Sequence, residues 1–118
     1  MSSTTGANGA GTMIVEYIRY EIAEDRAAEF EAAYARASAS LDASPHCLAY
    51  ELTRCVEAPA SYILRIEWES EEGHMQGFRR GPEFPAFLAA IRPYVGDIAE
   101  MRHYARTTVG ARKQAAAA

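Results

Sequence analysis

No apolar run in this chain approaches the ~20 residues that a membrane-spanning helix needs, so no membrane partner is expected. Basic charge is scarce too. The formal net charge is −4, and basic residues cluster no further than adjacent pairs such as Arg112-Lys113. No basic stripe exists for a nucleic-acid backbone to follow, so nucleic acid is not expected as a partner. Cysteines number two, Cys47 and Cys55. Eight residues apart on one strand, they would stand roughly 27 Å apart at ~3.3 Å per residue, too far for a bridge within the chain. Two thiols at that spacing do not read as a zinc site. They read as free thiols in a reducing compartment, and a cytoplasmic location is the expectation. The leader, residues 1–12, has neither the basic start nor the apolar middle of a secretory signal. Gly6, Gly9 and Gly11 fall in that leader, not between a strand and a helix, so they make no phosphate loop. No Ser-His-Asp order or metal-ligand spacing stands out, and neither cofactor nor metal is expected.

What remains is 118 residues of mixed pattern, enough for one domain. Composition places a folded part at residues 13–109, with a disordered leader at 1–12 and a disordered tail at 110–118. Met13–Ile22 is rich in Ile, Val and Tyr and predicts a strand. Over Glu24–Asp42, residues Ala27, Phe30, Tyr34, Ala37 and Leu41 recur at steps of three and four, which predicts a helix with one apolar stripe. Ser44-Pro45 ends it, because a residue before proline is pushed out of the helical region. Cys47–Val56 and Tyr62–Glu69 predict two strands joined by a short turn at Ala58–Ser61, hence an antiparallel hairpin. Ser70 is placed to cap a short helix running to Arg80. Gly81-Pro82 interrupts. A second helical stretch follows with Phe84, Phe87, Leu88, Ile91 and Val95 on one stripe, opened by Pro82 or Pro85 and weakened at its end by Pro93. Ile98–Val109 predicts the last strand.

The order β-α-β-β-α-β predicts an α+β, ferredoxin-like fold: a four-stranded antiparallel sheet with both helices on one face. The face bearing Ile14, Glu16, Ile18, Tyr62, Leu64 and Trp68 should meet the helices. The other face, bearing Val15, Tyr17, Arg19, Ile63, Arg65 and Glu67, is too apolar and aromatic to be simply wet. Two such faces packed together give a symmetric homodimer with a barrel at its centre, in which Arg and Glu side chains pair across the barrel or line its ends.

Across the hairpin, Cys47-Leu48-Ala49-Tyr50-Glu51-Leu52, Glu57-Ala58-Pro59, Tyr62-Ile63-Leu64 and Glu67-Trp68-Glu69-Ser70 follow in an order that resembles the antibiotic biosynthesis monooxygenase family. The later run Pro82-Glu83-Phe84-Pro85-Ala86-Phe87 and the opening Met13-Ile14-Val15 resemble it as well. The resemblance spans about Met13 to Tyr104. It implies a dimeric α+β barrel. It also implies one of several activities: oxygenation of phenolic or quinol-type substrates with no flavin, metal or haem, haem degradation, or action on small signalling molecules. Family members often carry a histidine where this chain has Phe78, and the nearest histidine here is His74, one turn earlier. The haem-degrading branch uses an Asn, a Trp and a His at positions that match Ile18, Gly77 and Phe87, which disfavours that activity.

The pocket is expected between sheet and helices. Glu16 among Ile14, Ile18 and Tyr20 is a carboxylate in apolar company, so its pKa should rise and it can serve as an acid or base. Solvent exposure or pairing with Arg102 is the plain alternative. Trp68 can stack on a flat substrate and donate through its N–H, or simply pack in the core. His74 is a candidate general base, or an exposed helix histidine. Tyr20, Tyr34 and Tyr50 can hydrogen-bond a phenol or quinone oxygen, and Phe78 and Phe87 can line the pocket. His103 would sit at the pocket or the dimer seam, and Arg79 could hold an anionic substrate at the mouth. The leading expectation is a cofactor-independent monooxygenase of a small aromatic substrate, with Glu16 or His74 as base. The alternatives are a non-catalytic small-ligand-binding barrel, or a haem-binding protein without degrading activity.

Overall fold

The computed structural model describes residues 13–113. The expected disordered leader and the last five residues of the expected tail lie outside the described residues. Four strands form one antiparallel sheet: β1 (Ile14–Glu21), β2 (Cys47–Arg54), β3 (Ser61–Trp68) and β4 (Ile98–Ala105). Their spatial order is β2-β3-β1-β4, which is the ferredoxin-like arrangement expected from the β-α-β-β-α-β sequence. Helix α1 (Ala27–Ala43) follows a 3-10 turn at Glu24–Arg26. Its whole predicted stripe is buried: Ala27, Phe30, Tyr34, Ala37 and Leu41. Helix α2 (Phe84–Ile91) has Pro85 in its first turn, where a missing N–H costs nothing. Among the described residues, no helix is long and apolar enough to cross a membrane.

The core lies between the helices and the sheet face bearing Ile14, Ile18, Tyr20, Tyr62, Leu64, Ile66 and Trp68. Phe30 is its hub, with aromatic rings of Tyr20, Tyr34, Tyr62 and Tyr94 edge-on or tilted around it at 4.8–5.3 Å between centroids. Such edge-to-face packing favours ring quadrupoles and adds to the gain from burial.

Three local expectations change. The segment after Trp68 starts as an α-turn, capped as expected by Ser70, whose Oγ accepts from the Gly73 N–H at 2.9 Å. It then widens into a π-helical turn, Gly73–Phe78, closed by Arg79 N–H donating to the His74 carbonyl at 3.0 Å. Helix α2 stops at Ile91, because Arg92–Asp97 continues as a 3-10 helix with Pro93 in its first turn. The tighter winding buries Tyr94 and leaves Val95 half-exposed, outside the core but still on the cavity wall with Phe84, Phe87, Leu88 and Ile91. Strand β4 ends at Ala105, short of Val109.

The opposite sheet face carries Tyr17 and Tyr104 edge-on at 5.3 Å, with the Arg65 guanidinium 6.0 Å from the Tyr17 ring. Arg65 Nη1 pairs with Glu67 of its own strand at 2.6 Å, so this Arg–Glu pair closes within the chain. Val15 on this face is already buried in the single chain.

Candidate active site

A cavity of about 160 Å³ opens between the sheet, the π-turn and α2. Apolar side chains make most of its wall, including Ile18, Phe78, Phe87 and Ile91. Its polar groups are few: Glu16, His74, Tyr20, the Trp68 indole and Arg79.

Sheet register assembles the polar end. Glu16 on β1 stands directly opposite His103 on β4, and residues opposite each other on neighbouring strands project on the same face. Trp68 ends β3 opposite Ile14, two residues from Glu16, which puts the indole diagonal to the carboxylate. Trp68 Nε1 donates to Glu16 Oε1 at 3.0 Å. The π-turn then lowers His74 onto this group. Its ring stacks on Trp68 with centroids 4.7 Å apart and planes 20° apart. Its Nε2 lies 3.4 Å from Glu16 Oε1, and its Nδ1 lies 3.2 Å from His103 Nε2. His103 Nε2 is also 3.5 Å from Glu16 Oε2. The side chains of Glu16 and His74 are almost fully buried, whereas that of His103 is 36% exposed. The three residues therefore form a chain of titratable groups from the cavity to the surface.

Burial dominates their electrostatics. It raises the Glu16 pKa above its ordinary value, opposed by the Trp68 hydrogen bond and by the nearby His103 and Arg79 charges. It pushes His74 down to about 4, helped by His103 and Arg79. His74 is thus a neutral imidazole near neutral pH, and its approach to Glu16 is not an ion pair there. An Nε2–H turned toward Glu16 leaves the Nδ1 lone pair facing His103. A carboxylate made more basic by burial, next to a neutral imidazole and an exposed one, can take a proton from a bound molecule and pass it outward.

The other sequence-derived candidates scatter. Phe78, Phe87, Tyr20 and Arg79 line the cavity, and Phe78 touches Trp68 with centroids 5.0 Å apart. Tyr34 does not line it. Its hydroxyl bonds the Tyr20 hydroxyl, and burial raises both phenols, Tyr20 to about 12. Tyr50 is removed from the cavity altogether. It sits on β2, the far edge strand, and its hydroxyl donates to Asp42 Oδ1 at 2.6 Å. The alternative pairing of Glu16 with Arg102 is overturned, because Arg102 stands opposite Tyr17 on the other face and binds Glu100 at 2.5 Å. Met101 and Ile98 of β4 also line the cavity and had no part in the sequence reading. Met101 shares strand parity with His103, the one signal that could have found it. One grouping is invisible in sequence spacing. Glu16, His74 and His103 each bring a ligand atom within 4.8 Å of the others.

Comparison with known proteins gives a consistent picture. The antibiotic biosynthesis monooxygenase family matches residues 13–90. YczJ, an uncharacterised protein of Bacillus subtilis (strain 168), is 27% identical over 92 residues, 78% of this chain and 97% of its own. An antibiotic biosynthesis monooxygenase candidate from Bordetella bronchiseptica superposes with a TM-score of 0.65 at 28% identity, covering 83% of this chain and 98% of the other. SnoaB, a cofactor-independent oxygenase from Streptomyces nogalater, superposes with a TM-score of 0.63 at 21% identity, over 90% of this chain and 99% of the other. At that identity the likeness is one of fold.

Proposed function

The chain belongs to the antibiotic biosynthesis monooxygenase family, and from that premise we propose that it is a cofactor-independent monooxygenase of small, electron-rich aromatic compounds. The observation that carries this reading is the buried Glu16 carboxylate at the polar end of an otherwise apolar cavity, joined through His74 to the half-exposed His103.

In this reading Glu16 removes a proton from an acidic O–H or C–H of the substrate, and the carbanion or enolate supplies the electrons. One electron passes to O₂, the resulting radical pair joins as a C–O–O⁻ bond, and a returned proton gives the hydroperoxide. Loss of water leaves a new C=O. A CH₂ and O₂ thus become C=O and H₂O, with no external reductant. His74 and His103 hold and exchange the proton, and Arg79 at the cavity wall offsets the developing anion. Trp68 keeps Glu16 oriented. A 150 Å³ apolar cavity is known to hold benzene, so the enclosed volume here suits one ring, with further rings directed to the opening. That size also favours a small ligand over haem.

The apolar outer face, with Tyr17 and Tyr104, supports a homodimer of two sheets, as the family's barrel architecture implies. The protein is tested with a panel of hydroquinones and anthrones under air and under argon. The expected result is product under air only, carrying one atom of ¹⁸O from labelled O₂. Equal or absent turnover under both gases contradicts the reading. A ligand-binding barrel without chemistry predicts that second outcome together with retained binding.

A further inference from the structure

We propose that Glu16, His74 and His103 form a binding site for a divalent first-row transition-metal ion. The claim uses the same side chains as the reaction above but does not rest on that reading.

Three elements distant in sequence deliver the donors: β1, the π-turn and β4. Two imidazoles and one carboxylate form the donor set that zinc, nickel and ferrous ions favour. With one oxygen among three donors, the set suits magnesium and calcium poorly. Two of the three ligand-atom separations fit as well. His103 Nε2 is 3.2 Å from His74 Nδ1 and 3.5 Å from Glu16 Oε2. Metal–ligand bonds of about 2.0–2.2 Å place neighbouring ligand atoms roughly 3.0–3.5 Å apart.

Two surrounding contacts orient the ligands. The Trp68 N–H holds Glu16 Oε1 and leaves Oε2 on the His103 side. The approach of His74 Nε2 to Glu16 Oε1 leaves Nδ1 toward the same point. Support of this kind outside the ligand set tunes metal affinity in known sites. An ion here would also offset a carboxylate that is otherwise buried beside a neutral imidazole and one half-exposed one. Because the ion takes the lone pairs that carry the proton, metal and proton compete for one place.

The untagged full chain, stripped with EDTA, is titrated with ZnCl₂, CoCl₂, MnCl₂ and MgCl₂ by calorimetry. One ion per chain is expected, with zinc tighter than cobalt, cobalt tighter than manganese, and no magnesium binding. His103→Ala should weaken zinc by at least about tenfold, and Glu16→Gln combined with His103→Ala should abolish it. His46→Ala should change nothing, since His46 pairs with Glu69 outside the cluster. Loss in that control, or retention in the double variant, overturns the site, as does the absence of saturable binding. Should a variant misfold, pulsed EPR of the copper-loaded wild type still decides. Two imidazole nitrogens are expected, and one or none refutes the assignment. Metal binding is read without turnover, so oxygen uptake by the stripped protein tests the oxygenase reading separately.

Discussion

Burying a carboxylate costs several kcal/mol unless it gains partners, and among the described residues Glu16 has only one donor within hydrogen-bonding geometry, the Trp68 indole. A fold that merely needed an apolar residue here had Ile14 and Ile18 as precedents on the same strand face. A group kept at that cost, facing a cavity and touching two imidazoles, is better explained by chemistry than by stability. Cys47 gives a contrast at the same scale. Its thiol is half-buried and donates to the Ala49 carbonyl at 3.7 Å, and burial, outweighing that contact, pushes its pKa up from 9.0 to about 11. The thiolate is the reactive form and becomes populated only as pH rises through that value. At pH 8 its fraction is therefore about a hundredfold below that of an unperturbed thiol. Iodoacetamide at pH 8 should alkylate Cys47 slower by about that factor than a reference peptide, as read by mass spectrometry. The gap should narrow toward pH 11. Fast labelling at pH 8 would contradict this.

Among the elements, the strand faces were legible because alternation fixes them. Tyr62, Leu64, Ile66 and Trp68 read as one face in sequence and are all buried. The helix α1 stripe was legible for the same reason at period 3.6. The pairing of Glu16 with His103 was not, because it depends on register between strands at opposite ends of the chain, which no local pattern carries. Nor was the π-turn. Its wider winding is what brings His74 and Phe78 together against Trp68. Val95 keeps its place on the stripe that lines the cavity, but the 3-10 winding at Arg92–Asp97 leaves it more exposed than Ile91. The turn that leaves the π-segment needs a glycine. A Cβ on Gly81 would stand 2.2 Å from the Gly77 carbonyl oxygen, a backbone atom that cannot step aside. Gly81→Ala should therefore destabilise by about 1–3 kcal/mol, a drop in Tm of several degrees. Gly96→Ala, where a Cβ meets nothing within 4 Å, should leave Tm near its starting value. Thermal melts of the two variants check the pair, and equal shifts would contradict the steric account.

For the whole molecule, the sheet divides the labour. One face packs under two helices and holds the cavity. The other presents Tyr17, Tyr104 and Arg65, with a recess lined by Arg19, Ile63 and Glu100. If that face meets a second chain, Arg65→Glu places two acids beside each other by replacing the partner of Glu67. Light scattering should then report a shift toward monomer by at least about tenfold in dissociation constant, while the cavity-side Trp68 fluorescence stays unchanged. A dimer of unaltered affinity would remove this face from the interface. The central claim, that the buried Glu16 drives oxygen chemistry in the cavity, is tested most directly by oxygen uptake. Wild type and Glu16→Gln are compared in metal-free buffer, with a substrate found in the hydroquinone and anthrone panel. The account predicts a fall in kcat of about 10²–10⁴-fold with the fold intact by circular dichroism. Uptake within twofold of wild type would contradict it.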